Sequence, residues 1–166
     1  MSSENLAISE PWQAIERIAR SEDRMLAIQF FLFFSRFEYA LKCINRIKKG
    51  TIFADWDGYA ASKESVWLNA RENAEFKMAM DFLEKSPPLQ QNYKQGQLIW
   101  KPNARAAEAP SLSKAFAYVR TVRNNLFHGS KFDGANGKEM SRDRDLIRHC
   151  LTILNVCLEG DRKPRS

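Results

Sequence analysis

Arg123-Asn124-Asn125-Leu126-Phe127-His128-Gly129 places a guanidinium, an amide and one of only two histidines at the predicted end of a helix. A guanidinium grips phosphate through a bidentate fork, and an imidazole moves protons near neutral pH. Together they are the groups needed to cut an RNA backbone without a metal. Asn124 adds an amide able to position a ribose hydroxyl, a phosphate oxygen or the histidine itself. The same Arg-to-His spacing recurs at Arg144 and His149, so spacing alone does not select a site.

Helix geometry and local context separate the two pairs. Residues five apart on a straight helix are turned about 140° from one another, so neither pair converges on one phosphate while its helix continues. Around His149 the helix continues through an apolar face to Leu158, and His149 falls on the polar side beside Asp145 and Thr152 as an exposed residue. At His128 the chain can leave the helix, because Gly129 is suited to a left-handed cap. A helix C-terminus also favours a cation.

Charge points to the same segment. The net charge is +6, and residues 1–100 are neutral, with 13 basic and 13 acidic side chains. Residues 101–131 carry Lys101, Arg105, Lys114, Arg120, Arg123 and Lys131 against Glu108 alone. Such a local basic patch suits a phosphate-bearing partner, and a solvated basic surface is the alternative. Arg120 and Lys131 are therefore secondary candidates for substrate binding. Glu38 is another, although an acid in an apolar helix is equally well explained by a structural pair with Arg123 or Arg36.

The elements that must position these groups are helical. The 166 residues contain only seven glycines and six prolines, which favours helices over a strand-and-turn fold. The simplest organisation is one domain with a core over about residues 10–160. A short helix is expected from the Ser9 N-cap and Pro11 to about Arg20, with Trp12, Ile15, Ile18 and Ala19 on one face. A long helix over about 22–48 is apolar nearly all round at residues 30–34, as for a central core helix or one that also forms a subunit interface. After a turn at residues 55–58, a third helix is predicted over about 62–84, stopping at Pro87-Pro88. Residues 87–111 read as a long loop with at most a short extended piece at 98–100. A connection of that length is usually functional or partly disordered. A fourth helix runs from Ser111 or Ser113 to His128 with Ala115, Val119, Val122 and Leu126 on one stripe. A Gly-rich loop follows over 130–140, then a fifth helix over 141–159, then a flexible basic tail at 161–166.

Cys43, Cys150 and Cys157 lack CxxC spacing and cannot all pair, which fits a reducing cytosol. Cys150 and Cys157 read as small core residues on one helix face. The N-terminus has no signal-peptide pattern, and the apolar run at 25–34 is too short to span a bilayer. The expected location is cytoplasmic, with no membrane partner. No His/Cys/Asp cluster has metal-ligand spacing, so no cofactor is expected. Aromatic residues are read mainly as core. Tyr93 and Trp100, in the long loop, remain candidates for stacking on bases.

The motif at residues 123–129 resembles the signature of the HEPN superfamily: Arg, then usually Asn, Asp or His, a few residues, then His. Residues 34–42 are similar to the early long helix of many such proteins, and residues 146–151 sit where their final helix lies. The resemblance covers most of residues 22–159 in the expected order. It implies an all-α, up-and-down bundle of four to five helices that dimerises so that two copies of the motif face one cleft. It further implies a metal-independent endoribonuclease of the kind found among toxins, antiviral systems and RNA-processing enzymes. Carried over to this chain, His128 is the general acid/base, Arg123 holds the phosphate, and Asn124 orients the substrate or His128. RNA is the implied partner beside a second copy, with a cognate antitoxin or regulatory protein as a further one. The alternatives are a non-catalytic HEPN module that binds RNA, a nucleotide or a protein, and a helical adaptor that docks through residues 30–34.

Overall fold

The computed structural model describes residues 23–63, 72–104, 106, 111–128 and 137–162. These residues are mostly helical, with one small sheet. The elements are α1 (Asp23–Cys43), α2 (Trp56–Ser62), α3 (Ala74–Lys85), β1 (Gln90–Lys94), β2 (Gln97–Lys101), α4 (Ser111–Phe127) and α5 (Gly137–Arg162). The helix expected before residue 20 lies outside the described residues.

Buried apolar side chains from all five helices form one cluster. Its aromatic centre is Phe37 stacked on Trp56 at 5.6 Å, with Phe116 at 5.3 Å from Trp56 and 5.6 Å from Tyr59. Trp56 and Tyr59 are therefore core residues, and the Tyr59 hydroxyl needs a polar partner. It donates to Asp161 at 2.7 Å, and Asp161 also pairs with Lys63. This tie holds the last turn of α5 against α2. It is why the helix runs to Arg162 where the sequence reading placed a tail from residue 161. At its other end α5 begins at Gly137, four residues before the expected Ser141, because Lys138, Glu139 and Met140 are good helix formers. Cys150 and Cys157 are buried as expected. Burial raises the Cys157 thiol to about 12, leaving it protonated and unreactive.

Three boundaries differ from the sequence reading, one through a left-handed backbone residue and two through capping side chains. α1 stops at Cys43, not at residue 48, because Asn45 takes a left-handed φ of 60°. The Arg46 N–H then reaches the Leu41 carbonyl at 2.9 Å and the Asn45 N–H reaches that of Lys42 at 3.1 Å, a complete helix stop. The expected turn at 55–58 is instead the start of α2, where the Asp55 carboxylate accepts from the Gly58 N–H at 3.1 Å. α3 likewise starts from Asn73, which accepts from Phe76 N–H at 3.0 Å.

The expected long loop contains a β-hairpin. β1 and β2 pair antiparallel, with Gln91 opposite Trp100 and Lys94 opposite Gln97. Gln95 and Gly96 form the turn with φ of 50° and 81°, the two left-handed residues that a tight two-residue hairpin demands.

Among the described residues no helix is long and apolar enough to cross a membrane.

Candidate active site

α4 carries the motif, and its apolar stripe explains how the motif is presented. Ala115, Val119 and Val122 are buried and Leu126 is half-buried. That leaves Arg120, Arg123, Asn124 and Phe127 off the core-facing stripe. Arg120 is half-buried, one turn before Arg123 and Asn124. The His128 N–H donates to the Asn124 carbonyl at 2.9 Å, closing the final turn, and the exposed imidazole leaves from the helix end. Gly129, its expected cap, and Lys131 lie outside the described residues.

Arg123 is held on three sides. Its guanidinium carbon lies 5.5 Å from the centre of the Phe34 ring and 5.1 Å from that of Phe127. One terminal nitrogen, Nη1, donates to Asn124 Oδ1 at 2.9 Å. Its Nε is buried without a hydrogen-bond partner among the described residues, an arrangement that costs stability. Two aromatic faces and an amide thus hold the planar cation in one orientation, which a lysine could not reproduce. Asn124 spends its oxygen on Arg123, so what it can offer a substrate is the donor NH2. The carboxylate expected near Arg123 is elsewhere: Glu38 pairs along α1 with Lys42 at 3.4 Å.

Phe127 links this cluster to α1, since its ring stacks on Phe31 at 6.0 Å. α1 buries Phe30, Phe34, Phe37 and Leu41, yet it leaves Met25, Ile28, Phe31, Leu32 and Tyr39 exposed. The all-round apolarity of α1 therefore has two outlets, one into the core and one onto a surface stripe that ends at the motif. A cleft of about 560 Å³ adjoins that stripe at Leu32 and lies between α1 and the end of α5, with Phe33, Phe37, Ala40, Leu41 and Leu158 among its lining residues. Its apolar walls offer packing, not chemistry.

Two functional-site neighbours escaped the sequence reading, Thr121 and Asn125. Both are buried polar residues of α4. Asn125 Nδ2 donates to the Leu89 carbonyl at 2.8 Å, and Asn103 Nδ2 donates to Thr121 Oγ1 at 3.0 Å. They sit four apart, on one helix face, and grip the two ends of the segment that forms the hairpin. The sequence signal was a pair of polar residues interrupting the apolar stripe.

The second histidine differs from expectation. His149 is half-buried, not exposed, with its ring 4.4 Å from that of Phe82 on α3. Burial lowers its pKa; Asp145 opposes this and Arg148 adds to it. The folded state therefore binds that proton more weakly than the unfolded chain does. Stability falls as pH drops through the unfolded value of about 6.5, and the loss stops growing below the folded value. Replacing His149 with Gln removes this term. Urea unfolding between pH of about 7.5 and 5 is expected to show a shallower loss of stability for the variant than for wild type. An equal loss in both would contradict the assignment.

Among the described residues no group of three or more His, Cys, Asp or Glu stands where it could hold a metal. No protein-family model matches this chain, and no curated protein or solved structure matches it either. Any reading of the site rests on its own residues.

Proposed function

We propose that this chain is a metal-independent endoribonuclease of HEPN type whose active cleft is completed by a second copy. One observation carries the reading: Phe127, the ring that holds Arg123, also stacks on Phe31 of the uncovered α1 stripe. A second chain that covers Met25, Ile28 and Phe31 brings its own Arg123 and His128 to the same place. This resolves the angular problem, because groups that diverge on one helix can converge from two.

In this cleft one His128 takes the proton from the ribose 2′-hydroxyl as the oxygen attacks the adjacent phosphorus. The bond to the 5′-oxygen breaks, and the other His128, acting as acid, protonates that leaving oxygen. Arg123 neutralises the charge that builds on the non-bridging oxygens. The products are a 2′,3′-cyclic phosphate and a 5′-hydroxyl. Each imidazole ends in the other's starting state.

The test is incubation of end-labelled single-stranded RNA with the purified protein in excess EDTA. The reading requires cleavage with cyclic phosphate ends, and intact RNA from a dimeric preparation would overturn it. Salt-sensitive binding without cleavage would instead favour the non-catalytic alternative. Arg123 gives that alternative its footing, since a clamped guanidinium serves phosphate binding whether or not attack follows.

A further inference from the structure

The β-hairpin has a composition unlike the rest of the chain. Across residues 90–101 there are five amide side chains, two lysines, Tyr93 and Trp100, and no acidic residue. Among the described residues none of its side chains belongs to the buried cluster, so the hairpin is not there to complete the core. Tyr93 and Trp100 are instead exposed, at 72% and 44%.

Register places them together. Gln91 faces Trp100 and Tyr93 faces Leu98 across the ladder. Directly paired residues share a face and side chains alternate along each strand, so Tyr93 and Trp100 lie on the same face. Ile99, on the opposite face, is half-buried. The aromatic face is thus open to solvent. Lys94 at the tip and Lys101 at the base belong by the same alternation to the other face and are both exposed.

Attachment places this surface beside the motif. Both feet of the segment are hydrogen-bonded to α4, through Leu89 to Asn125 and through Asn103 to Thr121. At about 100° per residue, Asn125 lies some 200° round the helix from Arg123, with Asn124 at about 100° and the helix end at His128 at about 140° along that arc. One side of α4 thus leads from the guanidinium, past the amide and the imidazole, to the hairpin feet. A buried amide, Asn125, and a buried hydroxyl, Thr121, give the hairpin a set position on the motif helix, where a free loop would have none.

We infer that the hairpin formed by residues 90–101 is a single-stranded RNA-binding arm, on which Tyr93 and Trp100 stack unpaired bases while Lys94 and Lys101 meet the backbone and feed the strand to His128. The inference rests on the ribonuclease reading for what happens at His128, but not for binding. Stacking platforms with flanking cations and no carboxylates hold single strands with little sequence preference. Paired bases have no open face to offer, so the arm selects unpaired RNA over duplex.

The test uses the full chain carrying His128→Ala, so that RNA is bound and not consumed, and a fluorescein-labelled mixed-sequence 12-nucleotide RNA read by anisotropy. Adding Tyr93→Ala and Trp100→Ala is expected to raise Kd at least about tenfold. Trp100→Phe with Tyr93 intact should restore most of the affinity. Adding Lys94→Ala and Lys101→Ala should reduce the slope of log Kd against log salt by about 1.4. All four positions are on the surface, and an unchanged circular dichroism spectrum and Tm establish folding. Single-strand binding within twofold of the parent in both sets would overturn the arm, even if wild-type protein cleaves RNA. Hairpin-dependent binding by a wild-type protein that never cleaves would uphold the arm and remove the ribonuclease reading instead.

Discussion

On the proposed ribonuclease reading, His128→Ala is expected to lower RNA cleavage by about 100- to 10,000-fold, the usual weight of a positioned acid or base. The fold should survive, because the imidazole is exposed and leaves from the end of α4. Arg123→Ala is expected to lose a similar factor in rate and some stability as well. Its guanidinium lies over Phe34 and Phe127, and such contacts contribute about 0.5–2 kcal/mol when partly desolvated. Arg123→Lys separates the two effects. It keeps the charge but not the planar fork, so a rate loss close to that of Arg123→Ala would assign the role to geometry. His149→Ala should stay active while melting lower, since its ring supports α3 through Phe82. Steady-state cleavage of a short labelled RNA measures all four variants. Loss of activity in His149→Ala with His128→Ala intact would reverse the assignment.

Ile28→Glu is expected to separate the two copies and to lower activity by at least about 100-fold, with little change in the monomer's fold. Ile28 is exposed on α1 and takes no part in the buried cluster. A glutamate there is harmless to a lone chain but would be desolvated in a covered interface, where an unpaired charge costs several kcal/mol. Equilibrium sedimentation reads the mass, and the cleavage assay reads the consequence. Full activity in a monomeric Ile28→Glu protein would contradict the shared cleft. By contrast, Tyr39→Glu, further along the same helix, gauges how far the interface extends from the motif.

Local chemistry made α4 and α5 legible in the sequence. Ala115, Val119 and Val122 on one helix, and Leu146, Ile147, Cys150 and Leu154 on the other, recur with a helical period and are buried. The ends of α1, α2 and α3 were harder to read, because each is set by one short polar residue, Asn45 through its left-handed backbone and Asp55 and Asn73 through their side chains. Such residues read equally well as loop. Of the hairpin only the extended piece at 98–100, within β2, was legible, and the rest was hidden for a different reason. β1 is glutamine, asparagine and lysine apart from Tyr93, with no apolar alternation to mark it, and the turn is Gln95-Gly96 in place of a stronger Asn-Gly signal. The hairpin is ordered by its anchors on α4, which are tertiary contacts that no local pattern encodes.

The candidate site shows the same division. Arg123 and His128 were visible as residue types at a helix end. What holds Arg123 was not, because Phe34 is distant in sequence and only folding brings its ring to the guanidinium. Nor was the burial of His149 visible, since the polar side of α5 gave no sign that α3 would cover it.

The most direct test of the shared cleft is complementation. Arg123→Ala and His128→Ala proteins, each inactive alone, are unfolded together, refolded as a mixture and assayed on labelled single-stranded RNA in EDTA. In a mixed dimer the one intact imidazole must both take the 2′-hydroxyl proton and pass it to the leaving oxygen beside the one intact guanidinium. The mixture should therefore regain a small but measurable part of the wild-type rate, above that of either parent. A mixture that contains mixed dimers by native mass spectrometry and yet stays as inactive as its parents would contradict the account.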